Sequence, residues 1–395
     1  MGTSVEGVIC QPRSVNIPSA GGAKGREESL PALTIDEATG LIALEGIVFA
    51  NANLGKCLKD LKNCNLMWSS SNTITSFQKQ GFVSFHIYGS QSQKQMGKIQ
   101  AALANPSRPP SIVSVDQELG FVNRFGWMPE FKYILPSMLT ASENPRNADA
   151  AGYLTGRLLA LYGINLNFAP FVDLHAYIPG RRFSDGPDKI AIYARAFMQG
   201  LMRAGVGACA KHFPDGSTSQ NPHDKVSRVA LPIGDLHVTQ RYQPLIDAGL
   251  PAIMVGHDIF TQVDPNNPAS LSKIWITDIL RGRMNFQGVV VTDALGMGAI
   301  QKQGITEKEA ILRAFAAGAD LLLANPNEVR SVLKQAVASG KISKERVCES
   351  ARRIQSFAKR FPISPSTAKK DTKEAEIVRN ATLLYQKVKD YRSEK

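Results

Sequence analysis

The feature that most constrains the fold is a series of eight short apolar runs that alternate with longer amphipathic stretches. Near-continuous apolar runs are typical of strands buried on both faces, and their alternation with helices indicates a parallel sheet covered by helices. Eight repeats favour an α/β fold of the closed (β/α)8 TIM-barrel type over an open doubly wound sheet. The predicted strands are Gly46–Ala50, Phe82–Tyr88, Ser111–Val115, Asn165–Pro170, Gly207–Lys211, Ala252–Val255, Gly288–Thr292 and Asp320–Leu323. The predicted helices are about Ala148–Tyr162, Asp188–Ala204, Asp235–Ala248, Lys273–Arg283, Glu307–Ala317 and Lys344–Phe361.

This pattern predicts a single catalytic domain with short additions at both ends. Residues 1–40 are expected to form an N-terminal extension and residues 41–361 the barrel. The sequence Pro362-Ile-Ser-Pro365 ends the last helix and begins a linker, because proline cannot continue a helix. Residues 362–395 are therefore a linker and tail, whose short apolar patches predict a helix lying on the barrel.

The composition excludes several classes of protein. The chain is 43% hydrophobic and 20% charged, which is typical of a globular protein and not of collagen, a coiled coil or a disordered chain. No stretch approaches the roughly 18 consecutive apolar residues of a membrane-spanning helix, so no membrane span is expected. The net charge of +12 is spread along the chain without a basic run interleaved with aromatic residues. We therefore expect no nucleic-acid partner, and the sequence leaves protein partners open.

The cysteines and the N-terminus favour a cytoplasmic location. Residues 1–30 contain no apolar core of a secretory signal, although a secreted or periplasmic location remains open if a signal has been removed. An odd number of cysteines without a CxxC pair predicts neither a disulfide framework nor a zinc ribbon and favours a reducing compartment. The cysteines are Cys10, Cys57, Cys64, Cys209 and Cys348.

Polar and reactive residues stand at or just past the carboxyl ends of five predicted strands. Barrel enzymes build their active sites on that rim, from the ends of several strands. A single polar residue at a strand end is commonly explained by nearby solvent alone, but five such positions together predict a site. The residues are Asp116 after SIVSV, Asp173 after NFAPFV, Lys211 and His212 after GACA, His257 after AIMVG and Asp293 after VVVT.

Two carboxylates and one loop are the leading candidates for chemistry. Asp116 and Asp293 suit a reaction that needs a nucleophile or base near an acid, and small residues after Asp293 leave room for a substrate ring. The polar loop that begins at Lys211 runs to His223 and Asp224, and long polar loops inside compact domains are commonly functional. His223 is therefore a candidate proton-transfer group, because histidine titrates near neutral pH.

A metal site is the alternative interpretation of the histidines. His212, His223, Asp224 and His257 are all residues of types that bind metals. No HxxxH or HExxH spacing supports that interpretation. We expect neither a metal nor an organic cofactor.

Six segments occur in the order and spacing of glycoside hydrolase family 3. The resemblance spans roughly residues 80 to 330, and its KHFP and TDALGM elements are specific. More narrowly, the sequence resembles the single-barrel β-N-acetylglucosaminidases of the bacterial peptidoglycan-recycling type. The segments are VDQELGFVNRF (Val115–Phe125), INLNFAPFVDLH (Ile164–His175), GRRF (Gly180–Phe183), AKHFPDGSTSQNPH (Ala210–His223), AIMVGHDIF (Ala252–Phe260) and NFQGVVVTDALGMGAI (Asn285–Ile300).

The resemblance implies a retaining exo-glycosidase that removes terminal β-linked N-acetylglucosamine (GlcNAc), from peptidoglycan-derived muropeptides, through a covalent glycosyl-enzyme. Asp293 matches the family's nucleophile, and His223 matches the loop histidine that serves as acid and base in this branch. The positions that match residues holding the sugar hydroxyls and the N-acetyl group are Asp116, Arg124, Arg181, Lys211 and His212.

The chain departs from the family pattern at the loop histidine and after Asp116. Asn221 stands where the branch usually has an aspartate that pairs with the histidine, which leaves Asp224 or Asp215 as substitutes. Leu119 and Phe121 replace the usual glycine and arginine. These changes keep two alternatives open: a family-3 glycosidase or phosphorylase of altered specificity, and a catalytically weakened barrel that binds glycan or a protein.

Overall fold

The structure is a computed structural model, and it describes residues 8–17, 26–47, 71–104, 110–176, 178, 180–216, 225–363 and 370–391. Fourteen strands occur in these ranges. They are β1 Val8–Cys10, β2 Arg13–Ile17, β3 Arg26–Leu30, β4 Leu33–Thr34, β5 Ala43–Ile47, β6 Ser84–Ile87, β7 Ile112–Val115, β8 Leu166–Asn167, β9 Gly207–Phe213, β10 Arg228–Val229, β11 Ala252–Val255, β12 Ile259–Phe260, β13 Val289–Thr292 and β14 Leu322–Leu323.

Eight of the described strands form one parallel sheet in the order β13-β11-β9-β8-β7-β6-β5-β14. Neighbouring strands pair in register, for example Ser84 with Ile112 and Ala252 with Val289. Each predicted strand overlaps one of these eight, so the predicted parallel sheet covered by helices is confirmed. The first predicted strand, Gly46–Ala50, starts too late in the chain: β5 begins at Ala43, and residues 48–50 lie outside the described ranges.

Backbone hydrogen bonds also join the two end strands of this sheet. The Leu321 amide donates to the Val290 carbonyl at 3.0 Å, and the Thr292 amide donates to the Leu321 carbonyl at 3.0 Å. The sheet therefore curves back on itself as a TIM-like β/α barrel, whose strand side chains form a buried core. Parallel strands in this arrangement bring all their carboxyl ends to one face of the barrel.

The described helices surround this sheet. They are α1 Ile35–Ile42, α2 Ser71–Lys79, α3 Gln93–Leu103, α4 Glu130–Tyr133, α5 Pro136–Ala141, α6 Pro145–Leu161, α7 Pro187–Arg203, α8 Val238–Asp247, α9 Gly298–Gln301, α10 Glu307–Ala317, α11 Pro326–Ala338, α12 Lys344–Arg360 and α13 Lys370–Val388. Short 3-10 turns span Ala269–Leu271 and Lys389–Tyr391, and Ile274–Arg283 is a π-helix.

Local sequence signals explain the bounds of several helices. The Thr306 side chain accepts a hydrogen bond from the Glu309 amide at the start of α10, and Gly318 ends that helix at φ 116°. A hydroxyl at the N-cap satisfies an otherwise unpaired amide, and glycine adopts the left-handed conformation at little cost. The prediction for α10 was correct at both ends. The helix predicted over Lys273–Arg283 is present, but as the π-helix Ile274–Arg283.

The N-terminal strands pack beside α12 and are linked to it covalently. Strand β1 pairs antiparallel with β4, and Cys10 of β1 forms a disulfide with Cys348 of α12. The cysteine pattern did not predict this link, because the two residues are 338 positions apart and only the fold brings them together. Cys209 is a free buried cysteine, and Cys57 and Cys64 lie outside the described residues.

The helix predicted in the C-terminal tail is present as α13 and lies against α6 and α4. Its buried face includes Ile377, Ala381 and Val388. Glu374 is also buried and accepts hydrogen bonds from the Tyr162 hydroxyl at 2.7 Å and from Trp127 Nε1 at 3.0 Å. The helix is therefore attached to the barrel by apolar packing and by a buried carboxylate. None of the helices in the described part of the chain combines the length and apolar character needed to cross a membrane.

Candidate active site

A cavity of about 330 Å³ opens where the strands of the barrel end at their carboxyl termini. The six predicted site residues that the structure describes all line this cavity. Asp116 follows β7, Lys211 and His212 lie in β9, and Asp293 follows β13, as the rim of a barrel requires. The complete set is Asp116, Arg124, Arg181, Lys211, His212 and Asp293.

Three predicted residues lie outside the described residues. His223, the predicted acid and base, falls in the segment 217–224, as do Asn221 and Asp224, its predicted supports. Their roles stay predictions.

A buried ammonium group is the centre of the charge network on one wall of the cavity. Lys211 pairs with Asp116, and its Nζ lies 2.5 Å from Glu118 Oε1. Arg181 binds the same glutamate through two nitrogens, with Nε at 2.5 Å and Nη2 at 2.7 Å. The Arg181 guanidinium carbon lies over the Phe171 ring, 4.3 Å from the centre of that ring. This network holds charged donors and acceptors in fixed positions, as recognition of a polyhydroxylated substrate requires.

The network also keeps its carboxyl groups ionised. Burial alone would raise the pKa of Glu118, but the Arg181 and Lys211 charges outweigh it and lower the pKa to about 2. Burial acts in the same way on Asp116, where Lys211, His86 and Arg124 hold the pKa well below its usual value. The pKa of Lys211 is raised, because the two carboxylates overcome the effect of its burial. Each member therefore stays charged at neutral pH.

Buried side chains fix the loop that carries Asp116 and Glu118. The Asn167 side chain of β8 accepts from the Gln117 amide and donates to the Gln117 carbonyl, both at 2.9 Å. The Gln117 side chain in turn accepts from the Arg124 amide at 2.8 Å. His86 lies 3.3 Å from Asp116 and is stacked on Phe168, and burial lowers its pKa. The acceptor oxygens are therefore positioned by the barrel itself.

Asp293 stands beside a second buried histidine. The Asp293 side chain accepts from the Ala294 amide at 2.8 Å, and its backbone amide donates to the Val255 carbonyl at 3.0 Å. His257 Nε2 contacts the Ala294 carbonyl at 2.9 Å, and Nδ1 contacts the Ser270 hydroxyl at 2.7 Å. Because a carbonyl only accepts, Nε2 carries the proton and His257 positions the backbone that follows Asp293.

Two further acidic residues, Asp173 and Asp258, line the cavity. Asp173 accepts from the His212 backbone amide at 2.6 Å and lies 2.8 Å from its Nδ1. Asp215 lies 2.9 Å from His175 Nδ1. Asp258 is only 4% exposed, and burial raises its pKa to about 7 against the hydrogen bond from Ser227. The described residues contain no group of three or more histidine, cysteine, aspartate or glutamate side chains arranged to hold a metal ion.

Four histidine or carboxylate residues that line the cavity were not predicted from the sequence: His86, Glu118, His175 and Asp258. Glu118, His175 and Asp258 lie within the quoted motifs. No local pattern shows that Glu118 is buried and binds Arg181, because the two residues are far apart in the sequence. Asp173 was recognised on the rim without a role, and His257 only as part of the metal-site alternative. In the structure Asp173 is the partner of His212, and His257 contacts the Ala294 carbonyl.

Comparisons with known proteins agree with this geometry. Residues 73–357 match the family description "Glycosyl hydrolase family 3 N terminal domain". A beta-hexosaminidase of Xanthomonas campestris pv. campestris (strain B100) is 34% identical over 262 residues, which cover 62% of this chain and 77% of that protein. A beta-hexosaminidase of Alkalilimnicola ehrlichii is 32% identical over 301 residues, covering 71% of this chain and 84% of that protein.

A solved structure gives the same result for the fold. The glycoside hydrolase family 3 beta-N-acetylglucosaminidase from Paenibacillus sp. str. FPU-7 superposes with a TM-score of 0.71 at 26% identity, over 90% of this chain and 69% of that one. The family match covers well over half of the chain, so the resemblance seen in the sequence motifs is confirmed. The chain belongs to glycosyl hydrolase family 3 and is a glycoside hydrolase.

Proposed function

We propose that this enzyme removes terminal β-linked GlcNAc from peptidoglycan-derived muropeptides. The observation that carries the proposal is the ionised cluster of Asp116, Glu118, Arg181 and Lys211 on one wall of the cavity that Asp293 also lines. The names of the relatives, beta-hexosaminidase and beta-N-acetylglucosaminidase, support the same substrate class.

The cluster suits a sugar because it offers charged groups to hydroxyls at fixed positions. Ionised Asp116 accepts hydrogen bonds from hydroxyls, while Lys211, Arg124 and Arg181 donate to sugar oxygens. A site of this kind discriminates strongly, because an analogue that lacks a hydroxyl leaves a buried charge without a partner. His212, oriented by Asp173, completes the set that the resemblance assigns to the sugar.

Asp293 is the proposed nucleophile of a retaining reaction. Its carboxylate attacks the anomeric carbon, the bond to the leaving oxygen breaks, and a glycosyl ester forms that water then cleaves. The Ala294 amide and the His257-bound backbone hold the carboxylate in one orientation. Since the cavity is lined by Phe121, which is 63% exposed, an apolar ring is available at its mouth for the part of the glycan beyond GlcNAc.

Two finer features belong to the same proposal. The hydrogen bonds between Val290, Thr292 and Leu321 support a closed (β/α)8 barrel that acts as a single catalytic domain.

The location proposed from the sequence is cytoplasmic, with a secreted or periplasmic alternative. The Cys10–Cys348 disulfide supports the alternative, because disulfides persist mainly in oxidising compartments.

Labelling and mutation of Asp293 test the proposal. A fluorinated GlcNAc analogue with a good leaving group should form a stable ester on Asp293, identified by mass spectrometry of peptides. Asp293→Ala should lose several orders of magnitude in rate on an aryl β-GlcNAc substrate while still binding GlcNAc. Labelling of another residue contradicts the assignment.

The same substrate, assayed with and without phosphate, separates the proposal from its two alternatives. Free GlcNAc in both assays supports hydrolysis, and GlcNAc phosphate only in the presence of phosphate indicates a phosphorylase. Binding of GlcNAc without turnover indicates a weakened, glycan-binding barrel.

A further inference from the structure

A second cavity, of about 640 Å³, lies on the face of the barrel opposite to the candidate active site. It opens beside residues 249–251, which precede β11, and residues 285–288, which precede β13. Strand β2 and helix α12 form its other walls. The amino ends of parallel strands lie on one face of a barrel and their carboxyl ends on the other. This cavity is therefore separate from the one that Asp293 lines.

Most of the charged side chains that line this cavity are arginines. Arg13 comes from β2, whereas Arg352, Arg353 and Arg360 stand on one face of α12, since residues seven or eight positions apart share a helix face. Glu349 is the one acidic residue among the lining residues that the structure describes. The cavity therefore carries an excess of positive charge.

The Arg360 guanidinium is partly buried without a carboxylate partner. Its Nη1 donates to the Gly249 carbonyl at 3.1 Å, while its Nε is buried and has no hydrogen-bond partner in the described part of the chain. Burial lowers the pKa of Arg360, and no acidic group among the described residues offsets that effect. Because a buried charge without a partner is costly, a bound anion stabilises this arginine.

Two other arginines of the cavity also lack a carboxylate within the described ranges. Arg352 Nη2 donates to the Gln11 carbonyl at 3.2 Å, and neither a hydrogen bond nor an ion pair engages the exposed Arg13 side chain. The segment that joins β2 to β3, residues 18–25, contains no aspartate or glutamate. It therefore has no carboxylate to offer these groups.

A buried network next to the cavity adds to the positive charge. Arg281, Arg346 and Arg353 all pair with the single carboxylate of Asp320. Burial and the charges of the other two arginines lower the pKa of Arg281 to about 10, against the effect of Asp320. One carboxylate does not neutralise three guanidinium groups, so an anion in the cavity meets a field that favours it.

The arrangement of the arginines suits a phosphate group better than a carboxylate. A carboxylate is planar and has two oxygens, which one guanidinium fork satisfies. A phosphate monoester has three terminal oxygens and close to two negative charges, so it accepts from several guanidinium groups at once. The cavity is also within the range of small-molecule sites, roughly 300–1,000 Å³, which leaves space for an organic group beside the phosphate.

We propose that this cavity binds the phosphate group of a phosphate monoester through Arg13, Arg352 and Arg360. A soluble ester and a lipid headgroup share this chemistry, and the experiments below separate the two. The site does not rest on the proposed function, because none of the residues that line it lines the catalytic cavity.

Calorimetric titration with phenyl phosphate tests the class of ligand. The wild type should bind phenyl phosphate more tightly than benzoate. It should also bind phenyl phosphate more tightly at about pH 8 than at about pH 5, because a phosphate monoester loses its second proton near pH 6 while arginine stays charged. Equal affinities for phenyl phosphate and benzoate overturn the proposal.

Two arginine variants locate the site. Arg13→Gln and Arg352→Gln should each weaken the binding of phenyl phosphate roughly tenfold, as expected for the loss of one charge-assisted contact. The Tm of either variant without ligand should stay close to that of the wild type, because neither side chain has an acidic partner to lose. Arg195→Gln, at an exposed position on α7, is the matched control and should bind like the wild type. Equal affinities in all four proteins place the ester elsewhere and overturn the proposal.

Glu349→Gln tests the sign of the charge effect. Glu349 is more than half exposed, and its Oε2 lies 3.8 Å from Arg353 Nη2. Its neutralisation should tighten the binding of phenyl phosphate, because the carboxylate repels the ester and competes for an arginine. An unchanged or weaker affinity contradicts binding of an anion in this cavity.

Co-sedimentation with vesicles identifies the source of the phosphate group. Vesicles of phosphatidylcholine with an equal part of phosphatidic acid present a phosphate monoester, whereas vesicles of phosphatidylcholine alone do not. Binding of phenyl phosphate assigns a soluble ester. Binding to the mixed vesicles alone, weakened by Arg13→Gln and Arg352→Gln but not by Arg195→Gln, assigns a lipid headgroup. The proposal is wrong if the protein binds neither probe, or if it binds only the mixed vesicles and the two variants bind them as well as the wild type does.

Discussion

At the scale of single residues, the site depends on pairs whose members lie far apart in the chain. Lys211 in β9 bonds to Asp116 and Glu118 in the loop after β7, and Arg181 reaches Glu118 from the loop after β8. Removing one member leaves its partner as a buried charge without compensation, which is costlier than the loss of an exposed pair. The residues of this wall therefore act as one unit in binding and in stability.

Asp258 makes the stability of the fold depend on pH in the opposite sense from most carboxyl groups. Its pKa is raised by burial to about 7, from an ordinary value of 3.8. A raised folded pKa contributes stability that is complete below the unfolded pKa and is lost as pH rises through the folded pKa. The stability that protonated Asp258 contributes is therefore lost as the pH rises from about 4 to about 7. Asp258→Asn, which stays neutral, should be more stable than the wild type at about pH 8, by roughly 1–4 kcal/mol.

Urea unfolding at about pH 4 and about pH 8 checks this prediction. At the lower pH the two proteins should differ little, because Asp258 stays protonated in the folded chain there and is only about half ionised in the unfolded chain. Asp247→Asn, at an exposed position on α8, is the matched control and should change stability little at either pH. An advantage of Asp258→Asn that is the same at both pH values argues against titration of this residue.

At the scale of elements, local capping residues explain helices that apolar periodicity alone did not predict. Helix α1 begins with a capping box, in which Thr34 accepts from the Glu37 amide and Glu37 binds the Thr34 amide. Helix α11 begins with Asn325 as the N-cap and Pro326 in the first turn. Both helices were missed, although these residues are start signals that the sequence displays.

Helix α13 is attached to the barrel through Glu374. Glu374→Ala should lower the free energy of unfolding by roughly 1–3 kcal/mol, because the hydroxyl of Tyr162 and the indole N–H of Trp127 lose their acceptor. Gln93, which donates to Glu374 at 3.1 Å, loses its acceptor too. Tryptophan fluorescence during urea unfolding measures the stability, and its difference between variant and wild type reports the change around Trp127.

Glu376→Ala is the control for this prediction. It removes a carboxylate that is only partly buried on the same helix and should change stability little. If both variants are equally stable, the buried carboxylate does not hold α13 against the barrel.

At the scale of the whole molecule, one covalent bond connects the beginning of the described chain to its last barrel helix. The Cys10–Cys348 disulfide closes a loop of more than three hundred residues. A cross-link over so long a loop removes much of the conformational freedom of the unfolded chain. Cys10→Ser should therefore lower the free energy of unfolding by roughly 2–5 kcal/mol.

Thermal unfolding with and without a reductant measures this contribution. Reduction should lower the Tm of the wild type towards that of Cys10→Ser and leave the Tm of the variant unchanged. A wild type that is indifferent to the reductant, and equal in Tm to the variant, contradicts a stabilising disulfide.

The sequence by itself determined the alternation of strands and helices and the positions of the rim residues. These are local properties: apolar runs such as VVVT identify buried strands, and Asp293 stands directly after one of them. The rim pattern named four of the six predicted residues that line the cavity, and the family resemblance added Arg124 and Arg181. The ends of the strands were predicted less exactly, because β8 and β14 contain only two residues each and are shorter than the predicted strands.

Only the tertiary structure decided which charged groups meet. Glu118 and Arg181 are 63 positions apart, His175 and Asp215 are 40 apart, and Cys10 and Cys348 are 338 apart. The first two pairs form because loops after neighbouring strands meet at the rim, and the third forms because β1 packs beside α12; no local pattern encodes either contact. Leu119 shows the same effect on the backbone: it is buried at φ 77°, a conformation that costs a leucine free energy and that its tertiary packing has to offset. Long-range packing therefore decided the chemistry of the site, while local patterning decided where on the barrel that site lies.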